Sequence, residues 1–306
     1  MGPSRRERPL PHRPRRRARG TCWCRFVTAF ALVVLGTRSL GIELVAPEVF
    51  RLEHPDFIEP VALAVGPFGN VFVCDVGRGT IVRLDENARI RFEFDAPATQ
   101  PDLQPLDVAV TGFQVYVLDA ISNSLLRYSD RGSYLDVLQS FTERRLETPR
   151  ALSVDGVGRV LLAQPAQHRV TLLDETQLAE TVVGGFGTRP GELSSPSGVA
   201  FAPDGAFYVA DTDNARIQLF SGVGNWVATF DAGLEEPRGL VVDASGVLFV
   251  ADAGGAIHAF GSGTRKHAVL EWRDAEPLDV AVQGNTLWFL TREPAALVRV
   301  RIVRGD

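Results

Sequence analysis

The sequence predicts an all-β fold, a six-bladed β-propeller of four-stranded antiparallel blades, and three observations carry that expectation. A hexapeptide pattern, Pro-x-x-aliphatic-small-aliphatic, recurs six times at intervals of 40 to 47 residues. Each copy is followed by short apolar runs bounded by Gly, Pro, Asp and Asn, the signature of strands joined by turns. No long stretch shows the periodicity of a helix.

The six copies open at Pro60, Pro105, Pro149, Pro196, Pro237 and Pro277. Proline suits the first residue of a strand, where its missing N–H costs no ladder bond. Small residues two and four places later, as at Ala62 and Ala64 or Gly198 and Ala200, suit the crowded strand nearest a central axis. A second run follows each copy, such as Val71-Phe-Val-Cys-Asp, Phe207-Tyr-Val-Ala-Asp and Leu248-Phe-Val-Ala-Asp. A third closes it with alternating apolar residues, such as Ile81-Val-Arg-Leu and Ile217-Gln-Leu-Phe. Six such units call for radial stacking, which protects strand edges without the polar end caps of a solenoid. The sixth unit stops soon after its third strand, while Glu43–Leu52 precedes the first unit without a blade of its own. That segment is expected to be the outer strand of the last blade, closing the ring.

The first 41 residues differ from the rest. Nine arginines between Arg5 and Arg25 precede an apolar run from Phe26 to Gly36, with Ser39 and Gly41 beyond it. Eleven residues are too few to span a bilayer that needs about 20, but they suit the core of a secretory signal peptide cleaved before Ile42. An uncleaved membrane tether or a basic tail is the alternative. The expected domains are a signal peptide at 1–41 and the propeller at 42–306, exported to the periplasm or the medium, monomeric and without a membrane span after cleavage. The leader holds ten of the 32 basic residues and one of the 37 acids, so 22 against 36 remain, a formal charge of −14. Such a surface repels phosphate backbones and counts against nucleic acid as a partner. Cys22 and Cys24 lie in the leader, and Cys74, where other units carry Ala210 and Ala251, is expected to be a small core residue.

From Phe186 to Phe220 the fourth unit reads Phe-Gly-Thr-Arg-Pro-Gly-Glu-Leu-Ser-Ser-Pro-Ser-Gly-Val-Ala-Phe-Ala-Pro-Asp-Gly-Ala-Phe-Tyr-Val-Ala-Asp-Thr-Asp-Asn-Ala-Arg-Ile-Gln-Leu-Phe. This closely resembles the NHL repeat. Gln167-His168-Arg169-Val170 in the third unit is similar to the family's Asn-His-Arg-Ile/Val turn, and looser matches cover nearly all of 56–306. The fifth unit has a shortened turn, Ala253-Gly-Gly-Ala256, and the third and sixth carry Gln164 and Thr291 where the family has Asp. The recurrent Asp75, Asp119, Asp211 and Asp252 are expected to accept N–H bonds from the turn that follows each second strand.

Function is sought where equivalent positions differ. The two residues after each opening Pro gather round the mouth of the channel, and there Asp107, Asp279, Arg150 and Arg238 break the pattern, with His168 on the same face. One reading is a ligand site in which Arg150 and Arg238 grip an anionic group. The other is that each Arg pairs with a nearby Asp to settle charge in a narrow funnel. Similar six-bladed folds include metal-dependent lyases and lactonases. A zinc site needs several converging His; of His54, His168, His258 and His267 only His168 is on the expected face. No cofactor is expected; a calcium ion on Asp107 and Asp279 is the one metal the residue types would suit. No phosphate loop, His-Glu-x-x-His or Gly-x-Ser-x-Gly motif is present. The expected function is an exported, non-enzymatic module that binds a protein, peptide or glycan. The alternative is a metal-dependent lyase or lactonase-type hydrolase working at the channel. Relatives that bind RNA or act in ubiquitin transfer fit the acidic charge and the leader poorly.

Overall fold

The computed structural model describes residues 34–35, 42–52, 56–94, 96–98, 101–138, 149–176, 179–231, 233–261, 267–273 and 275–304. The basic leader, His54 and Lys266 lie outside these residues, and of His267 only the backbone is described. Two strands precede the first blade, β1 (Val34–Leu35) and β2 (Ile42–Arg51). Blade 1 comprises β3 (Pro60–Val65), β4 (Val71–Asp75), β5 (Thr80–Leu84) and β6 (Ile90–Glu93). Blade 2 comprises β7 (Pro105–Thr111), β8 (Gln114–Asp119), β9 (Ser124–Ser129) and β10 (Tyr134–Leu138). Blade 3 comprises β11 (Ala151–Val154), β12 (Val160–Gln164), β13 (Arg169–Leu173) and β14 (Glu180–Gly184). Blade 4 comprises β15 (Pro196–Phe201), β16 (Phe207–Asp211), β17 (Arg216–Phe220) and β18 (Trp226–Phe230). Blade 5 comprises β19 (Pro237–Val242), β20 (Leu248–Asp252), β21 (Ala256–Phe260) and β22 (His267–Glu271). Blade 6 has β23 (Pro277–Gln283), β24 (Thr286–Thr291) and β25 (Ala296–Arg304).

All strand pairs are antiparallel within six sheets, and inner strand β23 packs against β3 to close the circle. Blade 6 takes its fourth strand from β2, which runs against β25 from Ile42 opposite Arg304 to Arg51 opposite Ala296. The ring closes as expected, and the closure buries Ile42, Leu44, Phe50 and Leu52. Val34 and Leu35, which fall in the apolar run of the leader, pair with Leu270 and Val269 as a fifth strand on blade 5. Among the described residues no helix is long and apolar enough to cross a membrane.

The core is not one mass but a series of clusters sandwiched between successive blades. Cys74 is fully buried in the cluster between blades 1 and 2, with Phe72, Ile81, Val117 and Tyr128. Burial and the nearby carboxylates of Asp107, Asp279 and Asp75 push its thiol up, which makes it a poor nucleophile.

The recurrent aspartates do more than the sequence suggests. Asp75 accepts the Arg78 N–H from the following turn, as expected, and also those of Ile58 and Glu59 from the segment leading into its own inner strand. Asp252 does the same with Gly254 on one side and Glu235 and Glu236 on the other. Each carboxylate thus fastens the entry of the inner strand to the exit of the second. In blade 3 Gln164 instead accepts from Arg169 and Thr171, and in blade 6 Thr291 donates to the Pro294 carbonyl.

Candidate functional site

All six inner strands line one central cavity of about 1020 Å³. Five of them carry a register shift just after the opening proline, at Pro60/Ala62, Pro105/Asp107, Pro196/Gly198, Pro237/Leu240 and Pro277/Asp279. A bulge re-aims the side chain it carries, and here it directs the second residue after proline towards the next blade. At Gly198 an added Cβ would collide with the Arg238 carbonyl oxygen, and at Gly239 with the Cα of Asp279, so blades 4, 5 and 6 close up only because these positions are bare.

In blades 2 and 6 the same place holds an acid, within the identical hexapeptide Pro-Leu-Asp-Val-Ala-Val. Leu152 N–H of blade 3 donates to Asp107 Oδ2 at 2.6 Å, and Val108 N–H to Oδ1 at 2.7 Å. Leu63 N–H of blade 1 donates to Asp279 Oδ2 at 2.8 Å, and Val280 N–H to Oδ1 at 2.8 Å. Each carboxyl therefore ties its inner strand to the one that follows.

Both carboxyls sit in the channel wall, half-buried, and they interact across blade 1, though the two blades are not neighbours. Burial pushes Asp279 up to about 6 despite its two N–H bonds. Burial first, and the Asp279 charge second, hold Asp107 well above the ordinary carboxylate range. The two titrate as a pair.

Arg150 and Arg238 meet different fates at the mouth. Arg238 donates to Glu236 Oε1 at 2.6 Å and lies 2.9 Å from Glu276, which also faces Arg292 at 3.5 Å. It is neutralised as the charge-settling reading expects, but by glutamates rather than aspartates. Arg150 also lines the cavity; it is exposed, its backbone N–H donates to the Ala163 carbonyl, and its guanidinium has no hydrogen-bond or ion-pair partner among the described residues. His168 is not at the mouth. Its backbone is left-handed (φ 52), its ring packs edge-on to Phe186, and its Nδ1 accepts the Ser195 N–H at 3.1 Å, so it fastens the seam between blades 3 and 4.

Glu236, Glu276 and Arg292 were not singled out from the sequence. The two glutamates stand immediately before the opening prolines Pro237 and Pro277, one place outside the pair of positions compared there.

The donor set suits a metal poorly. Calcium takes about six to eight oxygen ligands, whereas each oxygen of Asp107 and Asp279 already accepts a backbone N–H, and no third carboxylate among the described residues completes a metal site with them. Among the described residues no group of three or more His, Cys, Asp or Glu is placed to hold a metal ion.

The NHL repeat model matches residues 193–220, from the approach to blade 4 through its third strand. No curated protein matches the sequence. Virginiamycin B lyase from Staphylococcus aureus is similar in structure with a TM-score of 0.60 at 14% identity, over 84% of this chain and 99% of that one. A gluconolactonase from Xanthomonas campestris gives 0.65 at 15% identity, over 84% and 90%. A luciferin-regenerating enzyme gives 0.64 at 11% identity, over 85% and 98%. At such identities the likeness shows the fold alone. Blade count and ring closure agree: the chain is a six-bladed β-propeller with an NHL repeat in its fourth blade.

Proposed function

We propose that this protein is an exported, non-enzymatic binding module whose channel mouth holds an acidic group of a peptide, protein or glycan through Arg150. The observation that carries the reading is the contrast between the mouth's arginines. Arg238 and Arg292 are neutralised by Glu236 and Glu276, while Arg150 projects over the same cavity with its donors free. A guanidinium is well shaped for a carboxylate. The acidic surface expected after loss of the leader does not draw anions from a distance, so recognition rests on short-range contact. Export rests on the leader's basic-then-apolar order.

Titration calorimetry with uronic-acid oligosaccharides and with peptides ending in a free carboxylate tests this. A bond to a charged group contributes about 1.5–3 kcal/mol, so Arg150→Ala is expected to weaken binding by roughly ten- to a hundredfold. Equal affinity in the variant, or no binding by either class, overturns the reading.

One observation favours an enzyme instead. A carboxyl ionising near 6 inside a cavity, coupled to a second one, is poised for acid–base work at neutral pH. A lyase or lactonase of this kind would hydrolyse or open a substrate in the channel with Asp279 as base. Its signature is turnover whose pH profile has a limb near 6 that disappears in Asp279→Asn.

A further inference from the structure

Blade 5 has a cavity of its own, about 230 Å³, away from the channel and lined among others by Glu235, Asp252, Gly254, Ala256, His258 and Glu271. Its origin lies in a comparison with blade 4. There the turn after Asp211 is one residue longer, and β17 begins with Arg216, which stands opposite Asp211 in the ladder. In blade 5 the residue opposite Asp252 is Ala256.

The Arg216 side chain fills its site completely. Its Nε donates to Asp211 Oδ2 at 2.6 Å, Nη1 to the Thr188 carbonyl at 2.6 Å, and Nη2 to the carbonyls of Arg189 and Glu192 at 3.1 and 2.9 Å. Asp211 Oδ2 receives two further side-chain donors, Asn214 and Gln218. In blade 5 His258 takes the place of Gln218, with Nε2 3.3 Å from Asp252 Oδ2, but the donors equivalent to Asn214 and Arg216 are gone. The acid itself is kept and is equally buried. Burial alone would push Asp252 up; bonds from His258, Glu235, Glu236 and Gly254 outweigh it and hold the carboxylate ionised.

The walls have changed to match. Where Arg216 meets carbonyls, the blade 5 cavity presents the carboxylates of Glu235, which is exposed, and Glu271, which is partly so. Arg273 also lines the cavity, where it pairs with Glu271 at 2.9 Å; its side chain is 80% exposed and so can give way to an entering guanidinium. An ionised carboxylate at the base, two more at the rim and a void shaped by a missing arginine form one complementary chemistry.

We propose that this pocket binds a guanidinium group, supplied by an arginine side chain of a partner peptide, with Asp252 at its base and Glu235 and Glu271 at its rim. The site is independent of the channel and of the function proposed for it.

The probe is N-acetyl-arginine methylamide, followed by chemical-shift titration of the full propeller, with the lysine analogue as control. A single contact group should give saturable binding in the millimolar range, with shifts centred on Gly254–His258 and Glu271. The lysine analogue, which lacks the planar fork, should bind several-fold more weakly. Ala256→Arg should seat its own guanidinium on Asp252, as Arg216 does on Asp211, and weaken the probe by at least roughly tenfold while raising the melting temperature. Should the shorter turn keep that variant from folding, Glu235→Gln/Glu271→Gln gives the same loss of affinity without touching the core. No saturable binding by the wild type, equal binding of the two analogues, or unchanged affinity in the variants overturns the proposal.

Discussion

Replacing Asp279 by Asn should change how stability depends on pH more than it changes stability at any one pH. In the folded protein the carboxyl ionises near 6 rather than at the ordinary 3.8. Below the ordinary value folded and unfolded chains are both protonated, and burial of the group costs little. Between about 4 and 6 the folded state keeps a proton that the unfolded chain has released, so stability falls as pH rises through this window, and above it the loss is complete. The interval corresponds to roughly 3 kcal/mol, a ceiling because the group is half-buried and faces the open cavity. Asn removes the charge but turns an N–H₂ towards one of the two amides that Asp279 accepts, Leu63 or Val280, at a cost of about 1–3 kcal/mol. The variant should therefore be the less stable protein at pH 4 and recover by up to roughly 3 kcal/mol relative to wild type by pH 7.5. Loss of the Asp279 charge also relieves Asp107, which acts in the same direction. Urea denaturation of both proteins across that range measures the difference. Parallel curves, with a constant offset from pH 4 to 7.5, would refute the assignment of a raised ionisation to this carboxyl.

Deleting residues 42–52 removes four buried apolar side chains, each contributing about 1.5–3 kcal/mol. The sum approaches the whole stability of a typical domain, so the truncated protein should melt far lower or fail to fold; an unchanged melting temperature would show that β2 does not clasp the ring. Gly239→Ala drives a methyl into Asp279 between two inner strands. Overpacking of this kind costs about 1–3 kcal/mol and should also shift the Asp279 titration, whereas Gly156→Ala, with open space around it and no left-handed backbone, serves as the control for added side-chain volume.

The fold was legible because each blade repeats the same local chemistry: the opening prolines, the Asp at the end of the second strand, the alternating third strand. Even the ring closure could be read, from a surplus strand at one end and a deficit at the other. Asp107 and Asp279 were visible as breaks in the repeat, but their partners were not. Leu152 and Leu63 contribute backbone amides, which carry no side-chain signal, and each lies on a different blade from the acid it binds. The partners of Arg238 were within reach, since Glu236 and Glu276 occupy equivalent places one step before proline. His168 misled because sequence places a residue on a face of the ring but not at a radius, and its ring points into a seam. The short turn of blade 5 was plain in the sequence; that it empties a cavity depends on the depth reached by Arg216, which only the packed blades reveal.

The borrowed strand of blade 6 also has a temporal consequence. Glu48 in β2 pairs with Arg299 in β25, 251 residues further along the chain. Blades 1 to 5 can each collapse as their own residues emerge, from contacts that are local in sequence. The strand made before all of them has no partner until β25 exists, so the order of assembly at this seam is the reverse of the order of synthesis. In the interval two sheet edges are bare, one at each end of an incomplete ring, and bare edges are what neighbouring chains pair with. If the chain is threaded through an export channel, β2 also leaves that channel first and must stay unpaired for the whole passage. Ile42, buried and opposite Arg304, then sets the furthest point at which a processing cut still leaves the clasp intact.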